Sequence, residues 1–214
     1  MKKILSIGIL LVTASCFAHK DQTWDSLAEF ECAATNALAD VSVLVSEDFG
    51  NSLVTYIANV TNHESQIEAL FVLGERHLSS YNETMKIEDL RNALVVSSNV
   101  CELTSSDTNS WQSSQARLLL FTCLVQSTQM EQAYCVASEA LAAAGARDIA
   151  TDNIVSAALL KHNRAQDLSI RQAIVLAKAL SAAMLKRKDE ATNLATELPI
   201  RYHDMVIRLA NSDD

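Results

Sequence analysis

Few side chains in this sequence can do covalent or metal chemistry: five Cys and five His. Cys16 falls in an N-terminal stretch with the plan of an export signal, which leaves Cys32, Cys101, Cys123 and Cys135. An even number of cysteines in an exported chain points to two disulfides. Cys123 and Cys135 flank an expected turn near 126–130, so an antiparallel helical hairpin would set them side by side. Cys32 with Cys101 follows by elimination. Cys101 lies on the apolar stripe Ile87, Leu90, Leu94, and Cys32 in an Ala-rich helix, so both are expected to face the core; four buried free thiols are the alternative. Zinc is disfavoured, because there is no CxxC and no paired Cys/His spacing.

The histidines, at 19, 63, 77, 162 and 203, are scattered. His63 beside Glu64 reads as part of a helix start and His77 as a half-buried packing residue. His203 with Asp204 could share a metal with His162 only if the fold brought them together. His19 would become the N-terminus on processing. The carboxylate pairs Glu29/Glu31 and Glu47/Asp48 read as solvated helix faces. There is no GxSxG, no HExxH, no P-loop and no Gly-rich dinucleotide turn. No catalytic, cofactor-binding or metal residue is therefore assigned, and no cofactor is expected.

The elements that must position these residues follow from composition. In 214 residues, 49% of them hydrophobic, there are only 4 Gly and 1 Pro. Sheet-based folds use Gly and Pro at turns, bulges and phosphate loops. The expectation is therefore an all-α fold. The 30 Ala agree, since Ala is the best helix former and lets helices approach closely. Residues 1–18 read as a signal peptide: Lys2 and Lys3, then apolar Ile4 to Val12, then small residues to Ala18. Cleavage after Ala18 leaves a single helical domain over 19–214, with a possible internal division at 104–110. Lipidation at Cys16 is the rival processing. No other apolar run approaches the ~20 residues of a membrane span. Losing Lys2, Lys3 and no acid takes the formal charge from -9 to -11, a field that repels nucleic acid.

Apolar spacing predicts about nine or ten helices, over roughly 23–46, 52–60, 64–78, 85–103, 111–125, 129–144, 149–162, 168–186, 189–198 and 200–211. Gly50 is expected to end the first region. Capping boxes are expected at 61–64 and 128–131, and a Gly cap at 145. The 111–125 helix is apolar on nearly every side and should be central. Trp24 and Trp111 read as core anchors.

Two segments sharpen the architecture. Gln132 to Leu141, with Ala133, Ala137 and Ala140, and Lys188 to Leu198, with Ala191, Ala195 and Leu198, each resemble the second helix of a tetratricopeptide repeat. The resemblance covers at most 111–211. It implies antiparallel helical hairpins in a bundle or a short repeat-like stack, and a protein partner. The expected function is that of an exported, periplasmic or secreted, disulfide-stabilised interaction protein: an adaptor, assembly factor, inhibitor or effector. A helical bundle holding a small apolar ligand or a metal is the alternative, and a hydrolytic enzyme the third reading.

Overall fold

The computed structural model describes residues 23–24, 26–107, 110–145, 154–162 and 167–212. The expected signal peptide, Cys16 and His19 lie outside them. Among the described residues the fold is all-helical: α1 (Leu27–Ala39), α2 (Val41–Leu44), α3 (Glu47–Asn59), α4 (His63–Thr84), α5 (Ile87–Leu103), α6 (Trp111–Gln126), α7 (Met130–Ala144), α8 (Ile154–His162), α9 (Ile170–Met184), α10 (Lys188–Ala195) and α11 (Ile200–Ala210). None is long and apolar enough to cross a membrane.

With so little Gly and Pro, short polar side chains start the helices. Ser26, Asp40, Ser46, Asn62, Ser110 and Ser169 each accept a first-turn backbone N–H, satisfying one donor that has no partner inside the helix. Ser26 with Glu29 and Ser169 with Gln172 complete capping boxes. Glu29 is thus part of a cap, and Glu47 and Asp48 occupy the first turn of α3, where a helix N-terminus favours negative charge.

Four local expectations are corrected. The helix over 23–46 breaks in two because Asp40 is extended and its carboxylate accepts the Ser42 N–H at 3.0 Å. Gly50 lies inside α3 instead of ending a region, and the Arg76 guanidinium fills the space its Cβ would need, 2.6 Å away. Arg76 also donates to the Val45 and Ser46 carbonyls, tying α4 to the end of α2. The cap of α4 is Asn62, not Thr61. No capping box forms at 128–131, since Thr128 is left-handed (φ 60) and Gln129 precedes α7 with no side-chain cap bond.

Helix packing runs in chain order through α4, α5, α6, α7, α9, α10 and α11, and alternate members of that series, α4 with α6, α6 with α9 and α9 with α11, also touch. This defines two layers: an inner one of α4, α6, α9 and α11, and an outer one of α5, α7 and α10. Helix α6 packs against α4, α5, α7 and α9, the central position its all-round apolar sequence requires. Gly74 of α4 admits it closely, because a Cβ there would stand 2.6 Å from Leu119 Cδ2. The largest apolar cluster joins α1 to α6 with α8, a second joins α9 to α11, and a small third joins α7 to α9. Trp111 packs against the first and third, its ring 5.9 Å from Phe71. Trp24 sits among Phe30, Phe49 and Tyr56, with ring centroids 5.5 to 5.9 Å away.

Two hairpins close with the same joint. After α6, Ser127 (φ -89, ψ 10) leads to left-handed Thr128 and then Gln129 (φ -92, ψ 63); after α9, Leu185 (φ -85, ψ 11) leads to left-handed Lys186 (φ 60) and Arg187 (φ -87, ψ 65). In each, the N–H of the last residue reaches back to a carbonyl of the preceding helix, Gln129 to Leu124 at 2.9 Å and Arg187 to Ala182 at 2.8 Å. Such a bond satisfies a carbonyl at the helix end. Burial repeats as well: Ala116, Leu119, Cys123 and Leu124 match Ile174, Ala177, Ser181 and Ala182, and Ala133, Ala137 and Ala140 match Ala191, Ala195 and Leu198.

Candidate interaction face

The fold disperses the candidate chemistry. Cys32 is exposed on α1 and Cys135 on α7, Cys101 is half-buried on α5, and Cys123 is buried on α6; the structure carries all four as free thiols. The α6–α7 hairpin puts Cys123 and Cys135 on adjacent helices. Burial pushes the Cys101 thiol up to about 11 and the Cys123 thiol up to about 12, the latter helped by nearby Glu75. Both are protonated at neutral pH and poor nucleophiles.

His203 pairs with Asp204 on α11 at 3.1 Å, while His162 lies at the end of α8. Among the described residues no group of three or more His, Cys, Asp or Glu could hold a metal. His63 is exposed at the first position of α4. His162 bridges two helices: Nδ1 lies 2.9 Å from the Leu38 carbonyl in the last turn of α1, and Nε2 lies 3.2 Å from Ser79 Oγ of α4. A serine held by a histidine is the geometry of an activated nucleophile. Ser79, however, is only 6% exposed in the middle of a helix, where no substrate carbonyl reaches it. The pair acts as a joint.

His77 faces Asp89, its Nδ1 3.7 Å from Asp89 Oδ1, while the Ser80 hydroxyl donates to Asp89 at 2.9 Å. Burial, then the Arg76 charge, hold His77 below its ordinary 6.5, against the opposing pull of Asp89. The unfolded chain therefore takes up this proton at higher pH than the folded one. Stability from His77 is fully present above pH 6.5 and is lost as pH falls through the folded value. Denaturant titrations of wild type and His77→Gln should show a shallower acid loss in the variant, by up to about 1.4 kcal/mol per pH unit. Identical slopes would contradict this.

The inner layer carries one apolar row that is not wholly buried. Leu176, Leu180 and Met184 recur every four residues on α9; the first two are half-buried and Met184 is 41% exposed. The matching positions on α6 carry Leu118, Thr122 and Gln126, with Val125 beside them. Because α6 and α9 touch in the inner layer, the two strips lie on neighbouring helices. Leu176 and Leu180 pack against the cluster that α9 forms with α10 and α11, so of the three only Met184 stands in solvent.

Polar staples tie the outer layer to α9. The Tyr134 hydroxyl of α7 donates to Glu190 of α10 at 2.8 Å, and the Lys178 ammonium of α9 lies 3.1 Å from the same carboxylate. Arg187 stacks 4.1 Å from the Tyr134 ring centroid, within cation–π range. Burial opposes ionisation of Glu190, but the Tyr134 and Lys178 hydrogen bonds outweigh it and hold the carboxyl below its usual range. One carboxylate thus joins three helices. Against known families, curated proteins and solved structures, the chain has no match.

Proposed function

We propose that this chain is an exported interaction protein, a short tetratricopeptide-like stack that binds a protein partner on the inner layer. The exposed end of α9 carries the reading: Met184 is 41% exposed one turn beyond half-buried Leu180, and its helix is already fixed by packing on α7, α10 and α11, so little ordering entropy is lost on docking. The repeated joint and burial of the α6–α7 and α9–α10 hairpins support the repeat-like part. Their joints stand 58 residues apart, from 128 to 186. The excess over a ~34-residue period is about 24, the length of the stretch 146–169 that carries α8.

In the exported protein, cleavage leaves His19 at the N-terminus, and Cys123–Cys135 and Cys32–Cys101 are the proposed disulfides. The test is co-purification from the exported fraction. Wild type is expected to retain a defined partner that Leu180→Glu and Met184→Glu lose and Asn193→Glu, on the exposed side of α10, keeps. The same preparation should start at His19 and show no thiol to alkylation without reductant. Equal retention by all variants, or turnover of a small substrate with no partner bound, would overturn the proposal.

A further inference from the structure

The charges of the chain are divided along the stack. Residues 26–145, which carry α1 to α7, hold 15 acids against 4 bases, whereas 167–212, which carry α9 to α11, hold 5 acids against 7 bases. Two helices end the layer series. The first outer helix, α5, packs on α4 and α6, and the last inner helix, α11, packs on α9 and α10. Each turns an exposed strip away from those neighbours. On α5, Glu88, Val95 and Glu102 are exposed at intervals of seven residues; on α11, Arg201, Met205 and Arg208 are exposed at intervals of four and three. Both spacings keep the residues on one side of a helix. One strip reads acid, apolar, acid and the other base, apolar, base. Even the minority charges are opposite, since exposed Arg91 lies three residues after Glu88 and exposed Asp204 three after Arg201.

We propose that the α5 strip binds the α11 strip of a second copy of this chain, so that copies join head to tail. The contact uses neither Met184 nor the partner proposed for it. With Val95 set on Met205 and the two helices running in the same direction, a rise of 1.5 Å per residue offsets Glu88 from Arg201 and Arg91 from Asp204 by about 4.5 Å, and Glu102 from Arg208 by about 6 Å. Side chains of this length span such offsets. Arg201 already meets Asp167 and Asp204 meets His203, but their side chains stay 57% and 52% exposed in those pairs. Each exposed ion pair is worth at most about 1 kcal/mol. The charges therefore select the partner face, while Val95 and Met205 supply apolar burial in a small, reversible contact. Because the joined surfaces differ, each copy keeps one strip open, and assembly continues past two copies.

The test is sedimentation of the purified protein over a concentration series, at low and at high sodium chloride. The wild-type weight-average mass is expected to rise with concentration beyond that of two copies, and the rise to shrink in high salt, which screens exposed charges. Two variants reverse one strip each, Glu88→Lys with Glu102→Lys and Arg201→Glu with Arg208→Glu. Either should weaken self-association at least about tenfold, since two contacts turn from attraction to repulsion. Mixed in equal amounts they should associate again, because each reversed strip then meets its complement. A wild type that stays monomeric throughout, or whose mass stops at that of two copies, overturns the proposal. So does association that ignores salt and both variants, or a mixture that fails to restore it. Should the variant that breaks the Arg201–Asp167 pair fail to fold, Arg208→Glu takes its place with Glu88→Lys as the complementary variant, and the loss and its recovery on mixing are read in the same way.

Discussion

Phe30→Ala is expected to cost about 3–5 kcal/mol, the range for removing a fully buried aromatic ring. Phe30 has no exposed surface and stacks on Tyr56, ring centroids 4.7 Å apart and 9° from parallel, with Trp24 at 5.8 Å on another side. It anchors α1 to α3, and α1 in turn supports α8. At roughly 2–4 °C per kcal/mol for a chain of this size, Tm should fall by about 6 to 20 °C. Thermal unfolding followed by Trp fluorescence measures this. A loss below about 1 kcal/mol would mean that the N-terminal aromatic cluster does not hold the helices.

The second large effect tests the repetition of the hairpins. Ala137 on α7 and Ala195 on α10 occupy matching positions and are 2% and 0% exposed. Helix α7 packs between α6 and α9, and α10 between α9 and α11, so each Ala sits where an outer helix meets inner ones. Leu at either position must force the helices apart, at about 1–3 kcal/mol. If the hairpins are equivalent, Ala137→Leu and Ala195→Leu should destabilise by similar amounts in urea unfolding. Ala142→Leu, outside the set of buried alanines, should be nearly neutral. A large cost at one of the matching positions and none at the other would contradict the equivalence.

These alanines show what the sequence makes legible. Their spacing of four and three residues marks a buried helix face in any context, and an apolar surface all round marked α6 as central before its neighbours were known. Caps were half legible. Ser, Asn and Asp supply them, but at 61–64 both Thr61 and Asn62 were chemically able, and only the local backbone selects Asn62. The places of the joints were legible, as the turn expected near 126–130 shows, but their backbone was not. Left-handed backbone ordinarily asks for Gly, yet Met85, Thr128 and Lys186 hold it, because carbonyls at the ends of the preceding helices still find N–H partners there. Gly50 misled for the complementary reason. It sits in a helix not to break it but to make room for the Arg76 side chain from α4, a contact between residues 26 positions apart in the chain.

The exposure of Met184 was hidden for a related reason. Leu176, Leu180 and Met184 share a helix with the buried Val175, Ala179 and Ala183, and periodicity alone shows an almost uniformly apolar helix. Which of these side chains is buried and which stays exposed is decided by the two-layer arrangement, a property of helix order in space. The return of α8 to α1 likewise depends on contacts between distant residues, His162 with Leu38 above all, for which the sequence carries no local signal.

Photo-crosslinking from Met184 tests the central claim most directly. With a photoreactive amino acid in place of Met184 on α9 or of Asn193 on α10, irradiation of the protein in the cell fraction that contains it should give one discrete heavier adduct from position 184 and none from position 193. An adduct from 193 alone, or none from either while both proteins remain helical, would contradict an inner-layer interaction face.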